Sequence, residues 1–471
     1  MPVRKAKIIC TIGPASGSEE MLLKLVKAGM DTARLNFSHG SHQEHLKNLK
    51  MIRRVSKKTG KHIAILQDLQ GPKIRIGKFE DQPIHLSSGD LFTLTTEDIP
   101  GTENIVSTSY KNLAEDVKAN DHILINDGLI KLKVLEKKAP DIFCEVIIGG
   151  SLYDRRGINL PGVKISEPSL TQKDKKDLKF GLENGIDYAA LSFVRDAQSI
   201  HDIKKFMGKK QVPVVAKLEK PEALENLDEI IEAADAVMVA RGDMGVEISA
   251  EKVPVVQKEI IEKCLAAGRP VITATQMLDS MMVNPVPTRA ETSDVANAVF
   301  DGSDAVMLSG ETAFGKYPQK SVKMMSAIIN ESEKKDQFFR LDRAGISMRD
   351  HSSFTQSAAH ASCLSARGIG AKYIVVLTRS GWTARIMSNF RPETPILGLS
   401  DTPETLRQLS LLWGVTPSYF KKVIEISGDL SSLEDHLIKN GYVKTGDNIV
   451  IISGSSRESG GTNILRLHSM P

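Results

Sequence analysis

The sequence predicts an α/β protein: a (β/α)8 TIM barrel with a small β-barrel lid domain inserted into it and an α/β domain at its C-terminal end. The main observation is a set of eight strand-length apolar runs that end in polar residues, most of them followed by helical spacing. Alternating strands and helices predict parallel strands joined by right-handed crossovers, and eight such units close a barrel. An open doubly wound sheet would explain the alternation, but not why so many polar strand ends converge.

The eight predicted strands are rich in Val, Ile and Ala, which is typical of parallel strands buried on both faces. Helical spacing follows at residues 19–28, 173–183, 222–233 and 255–267, among others. The predicted strands are Lys7–Ile12, Thr32–Ser38, Ile63–Asp68, Tyr188–Phe193, Val212–Glu219, Ala236–Asp243, Pro270–Gln276 and Asp304–Ser309.

A long interruption follows Asp68, which ends the third strand. Gly71-Pro72 opens a segment with period-two alternation and no helical pattern for about a hundred residues. Asn126-Asp127-Gly128 between two apolar runs is a strong β-hairpin signal. The alternating runs lie at residues 74–76, 91–94, 122–125 and 142–146. These patterns predict a small β domain that can close as a lid over the barrel mouth.

A second break comes after the last barrel helix, where the polar stretch 336–353 is predicted to be a linker. Beyond it, a helix at 356–366 and strands at 373–377, 396–398, 422–426 and 448–452 predict a separate α/β domain. The predicted domain ranges are 1–71 and 170–341 for the barrel, 72–169 for the lid and 342–471 for the C-terminal domain.

Composition narrows the classes of partner. The 471-residue chain has a net charge of only +4, and its lysine clusters carry interleaved acids, which favours solvated helix faces over a nucleic-acid-binding stripe. No apolar run reaches the length of a membrane span, and the first apolar stretch is too short for a signal peptide. The four cysteines lie far apart without a CxxC motif, which favours reduced thiols. We therefore predict a cytoplasmic protein without nucleic-acid or membrane partners.

The most informative residues follow two neighbouring predicted strands. Lys217 and Glu219 lie two apart at the end of one strand, so both project from the same face. Asp243 ends the next strand, and Gly242 before it lets the backbone approach a ligand closely. Two carboxylates with a lysine beside one of them can hold a hard divalent cation against a phosphorylated substrate. The alternative is a pair of ordinary ion pairs at strand ends.

Further polar residues lie at two other strand ends. Arg34, Asn36 and Ser38 alternate along one face of the second strand, which suits phosphate or cation oxygens better than a dry core. Thr273 and Thr275 share a face at the end of the seventh strand. These positions predict a site at the mouth of the barrel.

Two motifs are better explained without a ligand. Residues 310–316 fit GxxxxGK after a strand, but Tyr317 stands where a P-loop needs Ser or Thr. Three histidines between residues 39 and 45 have no Cys or acid that would complete a zinc site, which favours a polar helix start.

The C-terminal domain carries a candidate anion site. Its first strand leads into the segment 378–383 at a helix start, and its last strand leads into the Gly/Ser-rich stretch 453–462. Hydroxyls and glycines at a helix N-terminus can bind a phosphate, although an ordinary strand-to-helix turn would have the same composition. The candidate residues are Thr378, Ser380, Gly381 and Thr383.

Taken together, these motifs resemble those of the pyruvate kinase family over nearly the whole chain. The matching segments are 11–14, 34–40, 68–75, 217–219, 238–245, 273–279, 287–291 and 308–312. The resemblance implies transfer of the phosphoryl group of phosphoenolpyruvate to ADP, which gives pyruvate and ATP. It also implies a homotetramer of subunits built from A (barrel), B (lid) and C domains, the last binding a phosphorylated effector.

The resemblance also implies roles at the mouth of the barrel. Glu219 and Asp243 would hold a Mg²⁺ ion, for which Mn²⁺ can substitute. Lys217 would stabilise the phosphoryl group in flight and Arg34 would grip the phosphate, which suits a transition state governed by positioning and electrostatics.

The remaining implied contacts concern the carboxylate, the proton and the nucleotide. The amides of Gly242 and Asp243 would bind the substrate carboxylate. Thr275 lies where the enolpyruvate is protonated, with water as the relay because a hydroxyl is a weak acid. A second magnesium ion is expected to arrive with ADP. The positions that match nucleotide contacts are Asn36, His39, Arg75 and Arg156.

One departure concerns a monovalent cation. The family's pocket is formed by the side chains that match Asn36, Ser38 and Asp68 and by the backbone carbonyl of Leu69. Lys73 stands where relatives that require potassium have Glu and relatives that do not have Lys. Its fixed ammonium can supply the charge of a bound potassium ion. We therefore predict that K⁺ is dispensable and that the pocket is not used.

Two other functions fit parts of the pattern. A magnesium-dependent lyase or aldolase that handles a pyruvate enolate would share the two carboxylates, but it needs neither Lys217 nor the lid. A sugar-phosphate sensor with an inert barrel would be expected to lose Lys217, Glu219 or Asp243, and all three are present.

Overall fold

Eight parallel strands close into a barrel in this computed structural model, which describes residues 4–334, 354–423, 430–454 and 461–471. The barrel strands are β1 (Lys7–Thr11), β2 (Thr32–Asn36), β3 (Ala64–Asp68), β12 (Tyr188–Leu191), β13 (Val214–Leu218), β14 (Ala236–Ala240), β15 (Val271–Ala274) and β16 (Ala305–Leu308). They follow the spatial order β1-β16-β15-β14-β13-β12-β3-β2. The predicted (β/α)8 barrel is confirmed, and the open doubly wound sheet is excluded.

Helices connect successive strands and cover the outside of the barrel. Several helices begin at a capping box. In this motif a Ser or Thr side chain accepts a hydrogen bond from the backbone amide three residues later, and the acidic side chain of that residue accepts from the backbone amide of the Ser or Thr. The capping boxes are Ser41 with Glu44, Thr171 with Asp174 and Thr288 with Glu291. The helices are α1 (Glu19–Ala28), α2 (His42–Thr59), α4 (Gln172–Glu183), α5 (Ala197–Met207), α6 (Pro221–Glu225), α7 (Leu227–Ala233), α8 (Arg241–Ile248), α9 (Val253–Ala266), α10 (Arg289–Asp301), α11 (Gly310–Ala313) and α12 (Pro318–Ser332). Short 3-10 turns lie at Ala250–Lys252 and Asp279–Met282.

The strand pleat decides which side chains enter the barrel. On β13, Val214, Ala216 and Leu218 pack outward against the helices, whereas Val215 points into the interior core. Lys217 has the same parity as Val215, so it points inward at the mouth. The opposite end of the interior is filled by Leu411 of the C-terminal domain. The interior of the barrel is therefore a packed core, and its polar side chains are reached from solvent at the mouth.

The inserted lid is a mixed β domain with one short helix, α3 (Leu113–Asp116). Its strands are β4 (Ile84–Leu86), β5 (Leu91–Thr95), β6 (Ile105–Ser107), β7 (His122–Ile125), β8 (Ile130–Lys138), β9 (Asp141–Ile148), β10 (Gly150–Leu152) and β11 (Ile158–Asn159). β4 and β10 pair with each other, and the other six form a sheet in the order β11-β7-β8-β9-β5-β6.

The outer strands of that sheet are linked by residues 74–76, the first alternating run of the lid sequence. Arg75 forms an isolated bridge with Gly157, beside β11, and Ile76 forms one with Thr108, beside β6. These two bridges complete the circuit of a small barrel. The predicted hairpin joins β7 and β8, and Asn126 and Asp127 at its turn have positive φ angles, as its sequence signal requires.

The C-terminal domain is a five-stranded sheet flanked by helices. Its helices are α13 (Phe354–Gly368), α14 (Trp382–Asn389), α15 (Pro403–Leu409) and α16 (Ser431–Lys439). Its strands are β17 (Tyr373–Leu377), β18 (Ile396–Ser400), β19 (Val415–Tyr419), β20 (Asn448–Gly454) and β21 (Thr462–Ser469), in the order β19-β18-β17-β20-β21. Four are parallel, and β21 is antiparallel to β20.

Two details of this domain differ from the sequence prediction. Strands β19 and β21 were not predicted. Of the strand predicted at 422–426, Lys422 and Val423 lie in a turn and the rest lies outside the described residues, as does the predicted linker 336–353. The Gly/Ser-rich stretch is described only at its ends.

The C-terminal domain packs against the end of the barrel where the strands begin. Lys7 Nζ donates to the Val415 carbonyl at 2.7 Å, and Arg391 pairs with Asp304 at 2.9 Å. The domain therefore lies opposite the barrel mouth. Among the residues that the structure covers, no helix is both long and apolar enough to cross a membrane.

Candidate active site

The charged residues predicted at three strand ends meet at the barrel mouth around Lys217. Lys217 Nζ lies 2.9 Å from Glu219 Oε1 and 3.2 Å from Asp68 Oδ1. Only 11% of the Lys217 side chain and 1% of each acidic side chain are exposed. A lysine buried between two carboxylates is a fixed positive charge in a region of low dielectric, where it acts more strongly than in water.

Arg34 completes this cluster from β2. Its Nη2 lies 2.6 Å from Asp68 Oδ2, its Nε donates to the same oxygen at 2.7 Å, and its Nη1 donates to Thr11 Oγ1 at 2.9 Å. The guanidinium is therefore held at the mouth on two sides, because Thr11 ends β1 and Asp68 ends β3. Such a fixed fork is suited to a phosphate group.

Burial and neighbouring charges shift the pKa values of this cluster. Burial alone would raise the pKa of Asp68, but the charges of Lys217 and Arg34 outweigh it and hold the pKa below its usual range. Burial would lower the pKa of Lys217, yet Asp68 and Glu219 raise it above the ordinary value. Both groups are therefore charged at neutral pH.

Glu219 and Asp243 are suited to a divalent cation. Burial raises the pKa of Glu219, and the Asp243 charge adds to that shift, so the pair favours a bound cation. Glu219 Oε2 accepts from the Phe193 amide at 2.8 Å, which fixes the carboxylate. The described residues contain no group of three or more His, Cys, Asp or Glu arranged to hold a metal. A cation here would take its remaining ligands from substrate oxygens and water, as Mg²⁺ commonly does.

Gly242 and Asp243 lie in the first turn of α8, directly after β14. First-turn amides have no partner within the helix and favour an anion. The Gly242 amide donates to Thr275 Oγ1 at 2.8 Å, and that hydroxyl donates to the Ala274 carbonyl at 2.6 Å. The structure thus brings Gly242, Asp243 and Thr275 to one edge of the mouth.

The two threonines of the seventh strand do not share a face. Thr273 Oγ1 lies 2.8 Å from Ser303 Oγ, buried on the helix side of the barrel. Thr275 reaches the mouth because the backbone turns there, with φ angles of 69° at Thr275 and 54° at Gln276. Positive φ at residues other than Gly is costly and is often found at functional sites. The prediction for Thr273 was wrong because it assumed that the strand continues.

Sequence reasoning missed two residues that hold the site together. Arg241 Nη2 donates to the Thr275 carbonyl at 2.8 Å, and its Nη1 pairs with Asp294 at 2.7 Å, which braces the strained turn. Ser192 Oγ accepts from Lys217 Nζ at 2.5 Å and donates to the Leu69 carbonyl at 2.7 Å. Both residues directly follow apolar strands, and this position could have marked them as candidates for the barrel mouth. Their hydrogen-bond partners could not be predicted, because these depend on which strands are neighbours in the barrel.

The groups of the expected monovalent-cation pocket already make contacts within the protein. Asp68 already faces two cations, the Leu69 carbonyl accepts from Ser192, and Asn36 Oδ1 accepts from the Ser38 amide at 3.1 Å. Lys73 Nζ lies 4.0 Å from Asp243 Oδ1. The Lys73 ammonium is therefore close to one of the two candidate metal carboxylates.

The expected nucleotide residues are divided between barrel and lid. Asn36 and His39 lie at and just beyond the end of β2. Burial lowers the pKa of His39, and the charges of Arg75, Lys73 and Arg34 lower it further. Arg75 Nη1 donates to the Arg155 carbonyl at 3.1 Å, while Arg156 lies over the Tyr153 ring at 5.4 Å from its centre. All four are near the mouth or on the lid segment next to it.

The expected effector loop lies at the other end of the barrel. Thr378 Oγ1 accepts from the Gly381 amide at 3.0 Å, and Thr383 Oγ1 lies 2.6 Å from Thr462 Oγ1. Ser380 Oγ accepts from the Trp382 amide at 3.5 Å, a weak contact. Ser380, Gly381 and Trp382 line a cavity of about 160 Å³ against the base of the barrel. Two of the candidate hydroxyls are thus used within the loop.

Comparison with known proteins identifies the domains. Residues 3–322 match the family model described as pyruvate kinase, barrel domain, and residues 356–468 match pyruvate kinase, alpha/beta domain. A pyruvate kinase of Staphylococcus saprophyticus is 44% identical, over 99% of this chain and 80% of that protein. One from Staphylococcus aureus strain MRSA252 is 43% identical with the same coverage. The crystal structure of a pyruvate kinase from Cryptosporidium parvum aligns with a TM-score of 0.93 at 35% identity, over 99% of this chain and 96% of that one.

Proposed function

The chain belongs to the pyruvate kinase family and transfers the phosphoryl group of phosphoenolpyruvate to ADP in the last step of glycolysis, and from this premise we propose how its own residues act. The observation that carries the proposal is the buried ammonium of Lys217, held between Asp68 and Glu219 and beside the guanidinium of Arg34.

Lys217 and Arg34 are proposed to bind the phosphoryl group during its transfer. Both cations are fixed by Asp68 before substrate arrives, so little reorganisation accompanies the development of charge in the transition state. The transition state of phosphoryl transfer is loose and rich in charge, and stabilising it depends mainly on positioned cations.

Glu219 and Asp243 are proposed to hold Mg²⁺, with Mn²⁺ as a substitute. When bound, the ion would supply positive charge to the phosphoryl and enolate oxygens. The first-turn amides of Gly242 and Asp243 are proposed to bind the substrate carboxylate, which the helix N-terminus favours; the Gly242 amide would exchange its contact with Thr275 Oγ1 for the carboxylate.

Thr275 is proposed to position the proton that converts the enolate to pyruvate. Its hydroxyl already contacts the Gly242 amide and the Ala274 carbonyl, and it lies beside the proposed carboxylate site. A threonine hydroxyl is a weak acid, so a water molecule bound to it would deliver the proton.

The lid and the strand-end residues are proposed to bind ADP. Asn36, His39, Arg75 and Arg156 supply polar and cationic groups from both sides of the cleft, and a second magnesium ion would accompany the nucleotide. Potassium is proposed to be dispensable, because Lys73 places a positive charge at the mouth, 4.0 Å from Asp243.

Regulation and assembly are proposed from the family resemblance and the domain layout. We propose domain ranges 1–71, 72–169, 170–341 and 342–471, a homotetramer, and a phosphorylated effector bound near Thr378, Ser380, Gly381 and Thr383. A cytoplasmic location is supported by four cysteines that are all free and buried. Light scattering of the purified protein tests the tetramer. Titration of phosphorylated sugars and AMP at sub-saturating phosphoenolpyruvate tests the effector.

The central experiment measures pyruvate and ATP formed from phosphoenolpyruvate and ADP with Mg²⁺ or Mn²⁺. We expect both products in equal amounts, with no turnover when the metal is chelated. Absence of ATP, together with Mg²⁺-dependent release of pyruvate from a hydroxy-oxo acid, would favour the lyase or aldolase alternative. Absence of any turnover, together with binding of sugar phosphates, would favour the sensor.

A further inference from the structure

A buried carboxylate joins the lid to the two elements that carry the proposed metal ligands. Glu247 Oε1 accepts from Lys220 Nζ at 2.8 Å and from Asn159 Nδ2 at 2.9 Å. The side chains of Glu247 and Lys220 are 0% and 4% exposed. We refer to Asn159, Lys220 and Glu247 as the hinge triad.

Each member of the triad comes from a different part of the mouth. Glu247 lies on α8, one helical turn after Asp243, so the two side chains share a face of the helix. Lys220 directly follows Glu219. Asn159 lies on β11 of the lid. A single carboxylate therefore contacts the lid, the helix of one proposed metal ligand and the strand end of the other.

Burying the ion pair between Lys220 and Glu247 costs free energy. A charged group removed from water loses solvation that one ion pair only partly restores. Glu247 Oε2 has no hydrogen-bond partner within the described part of the chain, so the carboxylate is not fully satisfied. Well-packed apolar residues of similar volume often stabilise such a junction at least as well, so stability alone does not account for this pair.

The lid segment next to Asn159 carries the two lid arginines proposed to bind nucleotide. Arg75 forms a bridge with Gly157, and the Ile76 amide donates to the Arg156 carbonyl at 2.9 Å. Arg156 and Asn159 are three residues apart. The turn of the lid hairpin also lies beside α8, with Gly128 facing Val246. Anchoring Asn159 therefore fixes the segment that presents both arginines.

We propose that Glu247 is a positioning residue that couples the position of the lid to the metal carboxylates, so that ADP binding and metal binding support each other. The inference rests on the proposed roles of Glu219, Asp243 and the lid arginines. The contact between Asn159 and Glu247 carries the lid side of the coupling. The contact between Lys220 and Glu247 carries the metal side.

Asn159→Ala tests the lid side, with Asn104→Ala as the matched control because Asn104 is an exposed asparagine elsewhere on the lid. The dissociation constant of ADP is measured by calorimetry, and that of Mn²⁺ for the nucleotide-free enzyme by electron paramagnetic resonance. We expect Asn159→Ala to weaken ADP binding about tenfold, as expected for one lost hydrogen bond to a charged group. Mn²⁺ binding to the nucleotide-free enzyme should match the control, whereas the increase in Mn²⁺ affinity that saturating ADP produces in the control should be reduced.

Two further variants separate coupling from simple loss of structure. Asn159→Asp keeps the shape of the side chain but places a second carboxylate against Glu247, so it should weaken ADP binding more than Asn159→Ala. Glu247→Gln should weaken both ADP and Mn²⁺ binding, because it leaves Lys220 without its charge partner beside Glu219. Thermal unfolding identifies any variant that does not fold. If Asn159→Ala does not fold, the two substitutions that keep the shape of the side chain, Asn159→Asp and Glu247→Gln, decide the question.

The proposal is overturned if Asn159→Ala and Asn159→Asp bind ADP as the control does, or if Glu247→Gln leaves Mn²⁺ binding unchanged. Neither measurement needs turnover. A protein that formed no pyruvate would contradict the proposed function while the two titrations still tested the hinge triad.

Discussion

Replacing Lys73 with glutamate should convert the protein into one that requires potassium. The structure places Lys73 Nζ 4.0 Å from Asp243 Oδ1, and the two side chains are 31% and 30% exposed. Lys73→Glu exchanges an attraction for a repulsion at this point. Lys73→Gln removes the attraction alone and is the intermediate case.

The size of the effect follows from Coulomb's law. Two unit charges 4 Å apart interact by about 4 kcal/mol near a protein surface and by about 1 kcal/mol in bulk water. Because about a third of each side chain is exposed, we take about 2 kcal/mol for the pair. We take the same magnitude for the interaction of this ammonium with the anionic substrate at the mouth, which corresponds to roughly thirtyfold in kcat/KM for Lys73→Gln without K⁺, and to a larger loss for Lys73→Glu.

The assay couples pyruvate formation to NADH oxidation, with K⁺ replaced by tetramethylammonium at constant ionic strength. The unmodified protein should retain most of its activity without K⁺. Lys73→Glu should lose activity without K⁺ and regain most of it at saturating K⁺, because a bound ion replaces the missing charge. A large loss of activity in the unmodified protein without K⁺, or an active Lys73→Glu protein in its absence, would refute the reasoning.

Three further outcomes are expected. Thr275→Ala should lower kcat about a hundredfold or more while Thr275→Ser retains most of it, measured by exchange of the methyl protons of pyruvate; equal exchange rates would contradict the proton role. Asp243→Asn should raise the Mg²⁺ concentration needed for half-maximal rate at least about tenfold, whereas an unchanged metal requirement would exclude Asp243 as a ligand. Burial lowers the pKa of Lys7 to about 8, so the unfolded chain binds more protons between about pH 8 and 10.5 and the Lys7 contribution to stability rises with pH. Urea unfolding should show that, from about pH 8 to 10.5, the free energy of unfolding of the unmodified protein rises relative to that of Lys7→Met by up to about 3 kcal/mol. A difference between the two proteins that does not change with pH would refute the pKa shift.

The barrel could be predicted from the sequence because its strands are local and uniform. Each strand is a short Val, Ile and Ala run buried on both faces, and its bounds depend little on partners elsewhere in the chain. The same pleat parity identified Lys217 and Glu219 as neighbours before any partner was known.

The unpredicted strands are at the sheet edges, where the local signal is weakest. β19 contains Pro417, which argues against a central strand, but β19 is an outer strand of its sheet and tolerates it. β21 is the other outer strand and is largely exposed, so its residues lack an apolar run. Both are stabilised by pairing that depends on the rest of the domain.

The supporting residues of the site could not be predicted because their roles depend on tertiary register. Ser192 contacts Lys217 only because β12 and β13 are neighbours in the barrel. Arg241 contacts the turn at Thr275 because β14 and β15 pair, and that turn departs from the strand through two positive φ angles. Nothing in the sequence singles out Glu247, because its contact with Asn159 depends on the lid packing onto α8.

The most direct test of the account replaces Lys217 with methionine, which keeps the length of the side chain and removes its charge. Lys204→Met, on a barrel helix away from the mouth, is the matched control. We expect Lys217→Met to lower the rate of ATP formation from phosphoenolpyruvate and ADP about a hundred- to a thousandfold. Because the substitution leaves Glu219 and Asp68 without this buried cation, the thermal unfolding temperature should fall below that of the control, and the rates are compared at a temperature where both proteins are folded. ATP formation by Lys217→Met at the rate of the control would contradict the account.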